Sequence, residues 1–293
     1  MKMQGNKNKF QASPPSTPVN ALFTIRIPRH RVIRIILAVC ILLEILFVWL
    51  DYAINHSYWT ELGPIRRLFN ITREDGIASW FGVTQTFLAA LTLWAIYIVE
   101  SCRNSKRGIR YGWLILALFF TYMAVDDGAE IHERVGSAFK AIQEQATVDK
   151  TDTTLYARLY NNFPSYPWQL IYAPIFGSLG LFMLIFLFRH LETARQRAAL
   201  ILAVGLMSLA VGLDFIEGLE PDHPWNMYTS LTEKYEMDYY TVTQFRELAY
   251  DTLRHFSKSI EEFMEMLSMT ILWVTFLGHL GTRAPRFEVK IEP

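Results

Sequence analysis

Six long apolar runs separated by shorter polar stretches set the rhythm of the chain: residues 32–53, 77–99, 111–131, 167–189, 198–217 and 260–280. Each approaches the roughly 20 residues that an α-helix needs to cross a bilayer core about 30 Å thick. Apolarity sustained over that length, without the period-two alternation of a half-buried strand, predicts membrane-spanning helices. The third, fifth and sixth runs also carry acidic residues near one end. The predicted fold is all-α, a polytopic membrane helical bundle of six spans that forms a single domain over residues 25–293.

Basic residues set the expected orientation, because Lys and Arg are retained on the cytoplasmic side. Arg26, Arg29, Arg31 and Arg34 precede the first span, and Arg103, Lys106, Arg107 and Arg110 fill the second connection. Arg189, Arg195 and Arg197 fill the fourth, and Arg283, Arg286 and Lys290 follow the last span. Both termini are therefore expected in the cytoplasm, with outer loops near 54–76, 132–166 and 218–259. Residues 1–24, polar and rich in Pro and Ser, read as a disordered cytoplasmic tail. The outer loops are rich in Tyr and Trp, as an interfacial belt is. Within 241–259, Phe245, Leu248, Ala249, Thr252, Leu253 and Phe256 recur at helical intervals, which predicts an amphipathic helix entering the sixth span. Asn55 and Asn70 open two glycosylation sequons in the first outer loop.

Composition narrows the function classes. The chain is 52% hydrophobic and 19% charged, and a mean hydropathy of +0.17 points to lipid. Its 28 Lys+Arg balance 28 Asp+Glu, leaving no net positive charge to grip a nucleic-acid backbone. Cys40 and Cys102 supply neither a disulfide framework nor a thiolate metal site.

The acidic residues carry the candidate chemistry. They fall in VDDGAEIHER (125–134), GLDFIEGLE (212–220) and SIEEFMEM (259–266), each within or beside a predicted span. A charge in the hydrocarbon costs at least about 2.5 to 3.5 kcal/mol, so such groups normally face a partner, a cavity or a pathway. On a continuous helix, Asp126, Glu130 and Glu133 share one face with Asp127 at its flank, and His132 points away. Asp214 and Glu217 are neighbours three apart, and Glu265 pairs with Glu261 and Glu262. At 1.5 Å per residue all three groups reach roughly 20 to 27 Å from the cytoplasmic end, with Glu44 at about 18 Å and Gln85 and Tyr172 near the same level. The acids thus predict one polar layer in the outer leaflet, unless they form an ordinary rim at the water boundary.

Few bases accompany these acids: Arg134, Arg254 and Lys258, with His132 and His255 as further candidates. Burial can neutralise the excess by protonation, or a divalent cation can do so if several oxygens converge on it. The expected metal ligands are Asp126, Glu130, Asp214, Glu217, Glu262 and Glu265. Glu44, Asp127, His132 and His255 stand as supporting partners. Oxygen-rich donors suit iron, manganese or calcium, with zinc also open. The Glu-x-x-His pair of di-iron bundles is missing, which counts against a standard di-iron oxidase. Met264, Met266 and Met269 read as packing, and His30, His190 and His279 as helix-end residues without a catalytic role.

The stretches FNITREDGIASWFGVTQTFLAA (69–90), AVDDGAEIHER (124–134), YAP (172–174) and EEFMEMLS (261–268) resemble a family of bacterial multi-pass membrane proteins with an acidic D-D-x-x-E-x-H-E motif and no established activity. That resemblance implies a bacterial inner-membrane location and assigns no reaction. Ceramidase-type hydrolases also combine acids and histidines across several helices, but the paired histidines of their late spans are missing. Three functions remain open: a metal-dependent membrane enzyme acting on a lipid-borne substrate, an accessory subunit of a membrane complex, and a proton or cation transporter. The expected partners are the lipid bilayer and, for a subunit, other membrane proteins, with no nucleic acid.

Overall fold

A computed structural model describes residues 29–57, 59–148, 159, 163–220, 223–228, 231, 234, 239–242 and 248–284. Its helices are α1 (Arg29–Asp51), short α2 (Gly63–Phe69), α3 (Ile77–Cys102), α4 (Arg107–Ala129), α5 (Ile131–Val148), α6 (Pro167–His190), α7 (Ala194–Glu217) and α8 (Thr252–Arg283). One π-helical turn, Tyr52–His56, extends α1. Strands β1 (Tyr239–Val242) and β2 (Leu248–Asp251) pair antiparallel ahead of α8. Six helices, α1, α3, α4, α6, α7 and α8, are long and apolar enough to cross a membrane, in agreement with the six apolar runs. The protein is a multi-pass membrane protein built as an all-α bundle.

Local sequence explains the ends of these helices. Pro167 opens α6, where its missing N–H costs nothing. Thr193 and Gln196 form a reciprocal capping box at the start of α7, each binding the other's backbone N–H at 3.2 Å. Helix α8 lies against α1, α3 and α7, and α4 lies along α3. At 32 residues α8 is about 48 Å long, so its first turns extend past a 30 Å core.

One half of the bundle is sealed by close apolar packing. Leu93 and Ile96 of α3, Trp113, Leu116 and Phe120 of α4, Leu187 of α6, and Leu272 and Phe276 of α8 are buried there. The Phe120 and Phe276 rings meet edge to face at 5.4 Å. At the end of this half, Arg103 donates to the Arg283 carbonyl at 2.8 Å, and Arg283 lies 3.4 Å from Glu100 and 3.3 Å from Glu192. The beginning of α1, the α3–α4 and α6–α7 connections and the end of α8 thus share one basic end. The acidic stretches gather at the other.

Several sequence expectations change. Residues 248–251 form β2 rather than part of an amphipathic helix, and α8 begins at Thr252. The YYTV and LAYD segments carry the aromatic and β-branched residues that suit a paired strand. The third span ends at Ala129, and the connection that follows it contains α5. His279, near the end of α8 as expected, is in addition fully buried and stacks on Trp113 at 4.9 Å. Asn55 and Asn70 are buried as well: Asn55 Nδ2 donates to Asp51 at 2.9 Å, and Asn70 Oδ1 accepts from Thr72 N at 3.0 Å. The expected tail, residues 1–24, lies outside the described residues.

Candidate functional site

The acidic end is organised by a break in the polypeptide between α4 and α5. Glu130 adopts the left-handed conformation, φ 52° and ψ 39°, which costs a non-glycine residue roughly 1–2 kcal/mol. Nearby hydrogen bonds hold the turn: Arg134 Nε donates to the Ala129 carbonyl at 2.9 Å, and Asp126 Oδ1 accepts the His132 backbone N–H at 2.9 Å. Asp126 thereby caps the first turn of α5 from the helix before it. The same break swings the His132 ring back, so that Nδ1 lies 2.8 Å from Asp126 Oδ2. A continuous helix would point His132 away from Asp126, and one residue's dihedral reverses that.

Asp126 is completely buried and lines a cavity of about 200 Å³. Asp127, His132 and Glu133 join it from the α4–α5 segment, Asp214 from α7, and Lys258, Glu261, Glu262 and Glu265 from α8. Thr86 donates to Asp127 at 3.3 Å, and Gln169 of α6 donates to Asp214 at 2.7 Å. Apolar side chains complete the wall, among them Met123, Phe176, Met207, Met266 and Met269. A second cavity of about 310 Å³ shares Glu133, Trp168, Asp214 and Lys258 with the first and continues past Ser137, Lys140 and Tyr166. Along their helices, Asp126, Asp214 and Glu265 stand about 28, 30 and 27 Å from the basic ends of α4, α7 and α8, and they line the same cavity.

Seven carboxyls face this cavity with two basic side chains, Lys258 and His132. Lys258 Nζ lies 3.8 Å from both Glu217 and Glu261. The second oxygen of Glu261 is buried without a hydrogen-bond partner among the described residues. Full ionisation would leave five negative charges uncompensated in a low-dielectric site, so cations or protons must take up the difference. At the mouth, outside the spans, burial pulls the His132 imidazole down, but the hydrogen bond and charge of Asp126 outweigh it and hold the group above its usual value. Burial, then the charges of Glu133 and Glu130, push Glu74 up to about 8.

The predicted ligands divide into several groups. Asp126, Asp214, Glu262 and Glu265 share the cavity, joined by the predicted supporting residues Asp127 and His132. Glu130 does not line it: the left-handed turn carries its side chain to the rim, 3.3 Å from Arg134. There it meets Glu74 and Glu133, and oxygens of these three lie within 4.8 Å of one another. Among the described residues this trio alone meets that spacing for three possible ligands. Glu217 is outside the cavity wall, beside Lys258. Glu44 belongs to a separate cluster with Gln85 and Thr270. His255 is drawn to Asp51, 2.8 Å away, where Ser259 also donates to Asp51 at 3.1 Å.

Sequence reasoning left out Glu133, Glu261 and Lys258 as cavity residues, and Glu74 and Asp51 altogether. Glu133 and Glu261 carried a signal in their i+3 and i+4 spacing to other acids. Glu74 lies before α3 and Asp51 at the end of α1, and no helical periodicity joins Glu74 to Glu130 and Glu133 or Asp51 to His255 and Ser259.

A family model described as a domain of unknown function, DUF8692, matches residues 32–280. The chain belongs to this family. The matched region takes in the six apolar runs, the residues lining both cavities and the four stretches that carry the resemblance to multi-pass membrane proteins. No curated protein and no solved structure matches the chain.

Proposed function

We propose that the acidic cavity binds a divalent cation, and that the protein is a membrane enzyme using this cation on a lipid-borne substrate. The observation that carries the reading is the convergence of seven carboxyls from α4, α5, α7 and α8 on one cavity with only Lys258 and His132 as bases among the described residues. Iron, manganese, calcium and zinc all accept carboxylate and imidazole donors. A bound cation would supply Lewis acidity to a water or to a substrate oxygen. The chain's own residues have separable tasks: Asp214 and Glu265 would hold the cation, Asp126 orients His132, Glu262 holds or releases a proton, and Met123, Phe176 and Met207 receive hydrocarbon.

The apolar seal of Leu93, Leu116, Phe120, Leu272 and Phe276 supports a site reached from one side over a through-going transport path. The basic character of the opposite end supports placing that end in the cytoplasm and the cavity toward the outer face of a bacterial inner membrane.

Plasma mass spectrometry of the detergent-purified full chain tests the reading, after loading with each of the four metals and dialysis. Wild type should retain stoichiometric metal, and Asp214→Asn and Glu265→Gln should lose it while keeping wild-type helicity and elution volume. Wild type that retains none of the four metals would overturn the proposal.

A further inference from the structure

A second polar cluster lies between α1, α3 and α8, apart from the acidic cavity. Glu44 and Gln85 are fully buried, at 0% and 1% exposure. Glu44 Oε1 accepts from Gln85 Nε2 at 3.0 Å and from Thr270 Oγ1 at 2.6 Å, and Gln85 Nε2 also donates to Thr270. The Gln85 amide and the Thr270 hydroxyl thus direct their protons at two oxygens, and the buried thiol of Cys40, one helical turn before Glu44, lies beside Gln85, Thr270 and Glu44. The other two oxygens, Glu44 Oε2 and Gln85 Oε1, are buried without a hydrogen-bond partner among the described residues. The side chains bonded to Glu44 are both neutral.

A carboxyl held about 20 Å along its helix from the basic end, with neutral neighbours, must have its charge cancelled by a proton or a small cation. The donors here are a carboxylate, an amide carbonyl and a hydroxyl, all hard oxygens carrying a single negative charge. Hard cations select such oxygens, and one negative charge balances a monovalent ion, whereas a divalent ion would leave a net positive charge buried. The concentrated charge of a carboxylate favours the smaller sodium ion, which it can approach more closely, over potassium.

We propose that Glu44, Gln85 and Thr270 form a sodium-ion site, in which Glu44 Oε2 and Gln85 Oε1 are ligands and protons compete for Glu44. Thr86, next to Gln85, and Met266, one helical turn from Thr270, both line the acidic cavity, so a single turn separates the cluster from that cavity. The ion joins α1 to α3 and α8 at the centre of the bundle. This site is independent of the divalent-cation reading and survives if that reading fails.

Thermal unfolding of the detergent-purified full chain provides the test, with EDTA present throughout so that no divalent ion contributes. At pH 8, sodium chloride should raise the apparent Tm saturably, by about 5 °C at roughly a hundred times its dissociation constant. Potassium and choline chloride at equal ionic strength should not. The sodium concentration giving half the effect should rise as the pH falls. Glu44→Gln should abolish the response and Thr270→Val should weaken it. If either variant fails to fold, the wild-type comparison of the three salts decides. Equal Tm in sodium, potassium and choline overturns the proposal and leaves Glu44 as a protonated acid. A sodium response that persists in a folded Glu44→Gln protein overturns it too.

Discussion

Replacing His132 by alanine tests how the α4–α5 break builds the acidic end. In the wild type, Asp126 is completely buried and takes the His132 backbone N–H at 2.9 Å, the ring Nδ1 at 2.8 Å and the Tyr122 hydroxyl at 3.3 Å. His132→Ala removes the ring bond and the edge-to-face contact with Trp168, whose centroid is 4.7 Å away. A hydrogen bond to a charged group contributes about 1.5–3 kcal/mol, and the 22% exposure of the His132 side chain favours the lower half of that range. A loss of about 2 kcal/mol lowers the apparent Tm of a chain this size by roughly 3 °C. The loss should also depend on pH. The folded-state pKa of His132 lies above the ordinary 6.5, so the imidazolium's contribution is complete below 6.5 and fades as the pH rises through the folded value. Above it, the neutral ring can still donate from Nδ1 and pack on Trp168. Thermal melts of wild type and His132→Ala from pH 5.5 to 9 should therefore differ most at the acid end. A difference that is constant across the range, or that grows with pH, would refute the charge-assisted pairing.

Glu74→Gln should raise the apparent Tm at pH 8.5 and leave it unchanged at pH 4.5. Its folded pKa of about 8 exceeds the ordinary 4.5, so ionisation weighs on the folded state increasingly between those values, and equal shifts at both pH values would contradict this. At Gly136 an added Cβ would lie 2.7 Å from Trp168 N and 2.8 Å from Trp168 Cβ, so Gly136→Ala must push α5 away from α6. The cost should be about 1–3 kcal/mol in thermal melts, accompanied by weaker metal retention because His132 and Glu133 ride on α5; an unchanged melt would show that the two helices are not in that contact. Expression in a glycosylating host should leave the protein insensitive to endoglycosidase, because Asn55 and Asn70 are both buried and hydrogen-bonded. A mobility shift abolished by Asn55→Gln or Asn70→Gln would count against their burial.

The sequence by itself determined the six spans, the separation of a basic from an acidic end, and the depth at which the acids lie. These depend on local quantities: the apolar length that a bilayer demands, and the 1.5 Å that each residue adds along a helix. Asp126, Asp214 and Glu265 reach one level for that reason, and Glu44 and Gln85 likewise lie close enough in depth to hydrogen-bond. Only the tertiary structure decided which groups at that level share a cavity. Rotation of each helix about its axis follows from packing against distant segments, and no local spacing encodes it. Glu217 turns to Lys258, His255 to Asp51 and Glu44 to Thr270, while Glu133 and Glu261 enter the cavity. At the most specific motif the periodicity itself fails, because the helical phase breaks at the left-handed Glu130. The bonds that hold that turn, from His132 to Asp126 and from Arg134 to Ala129, form only once the two helices have parted there.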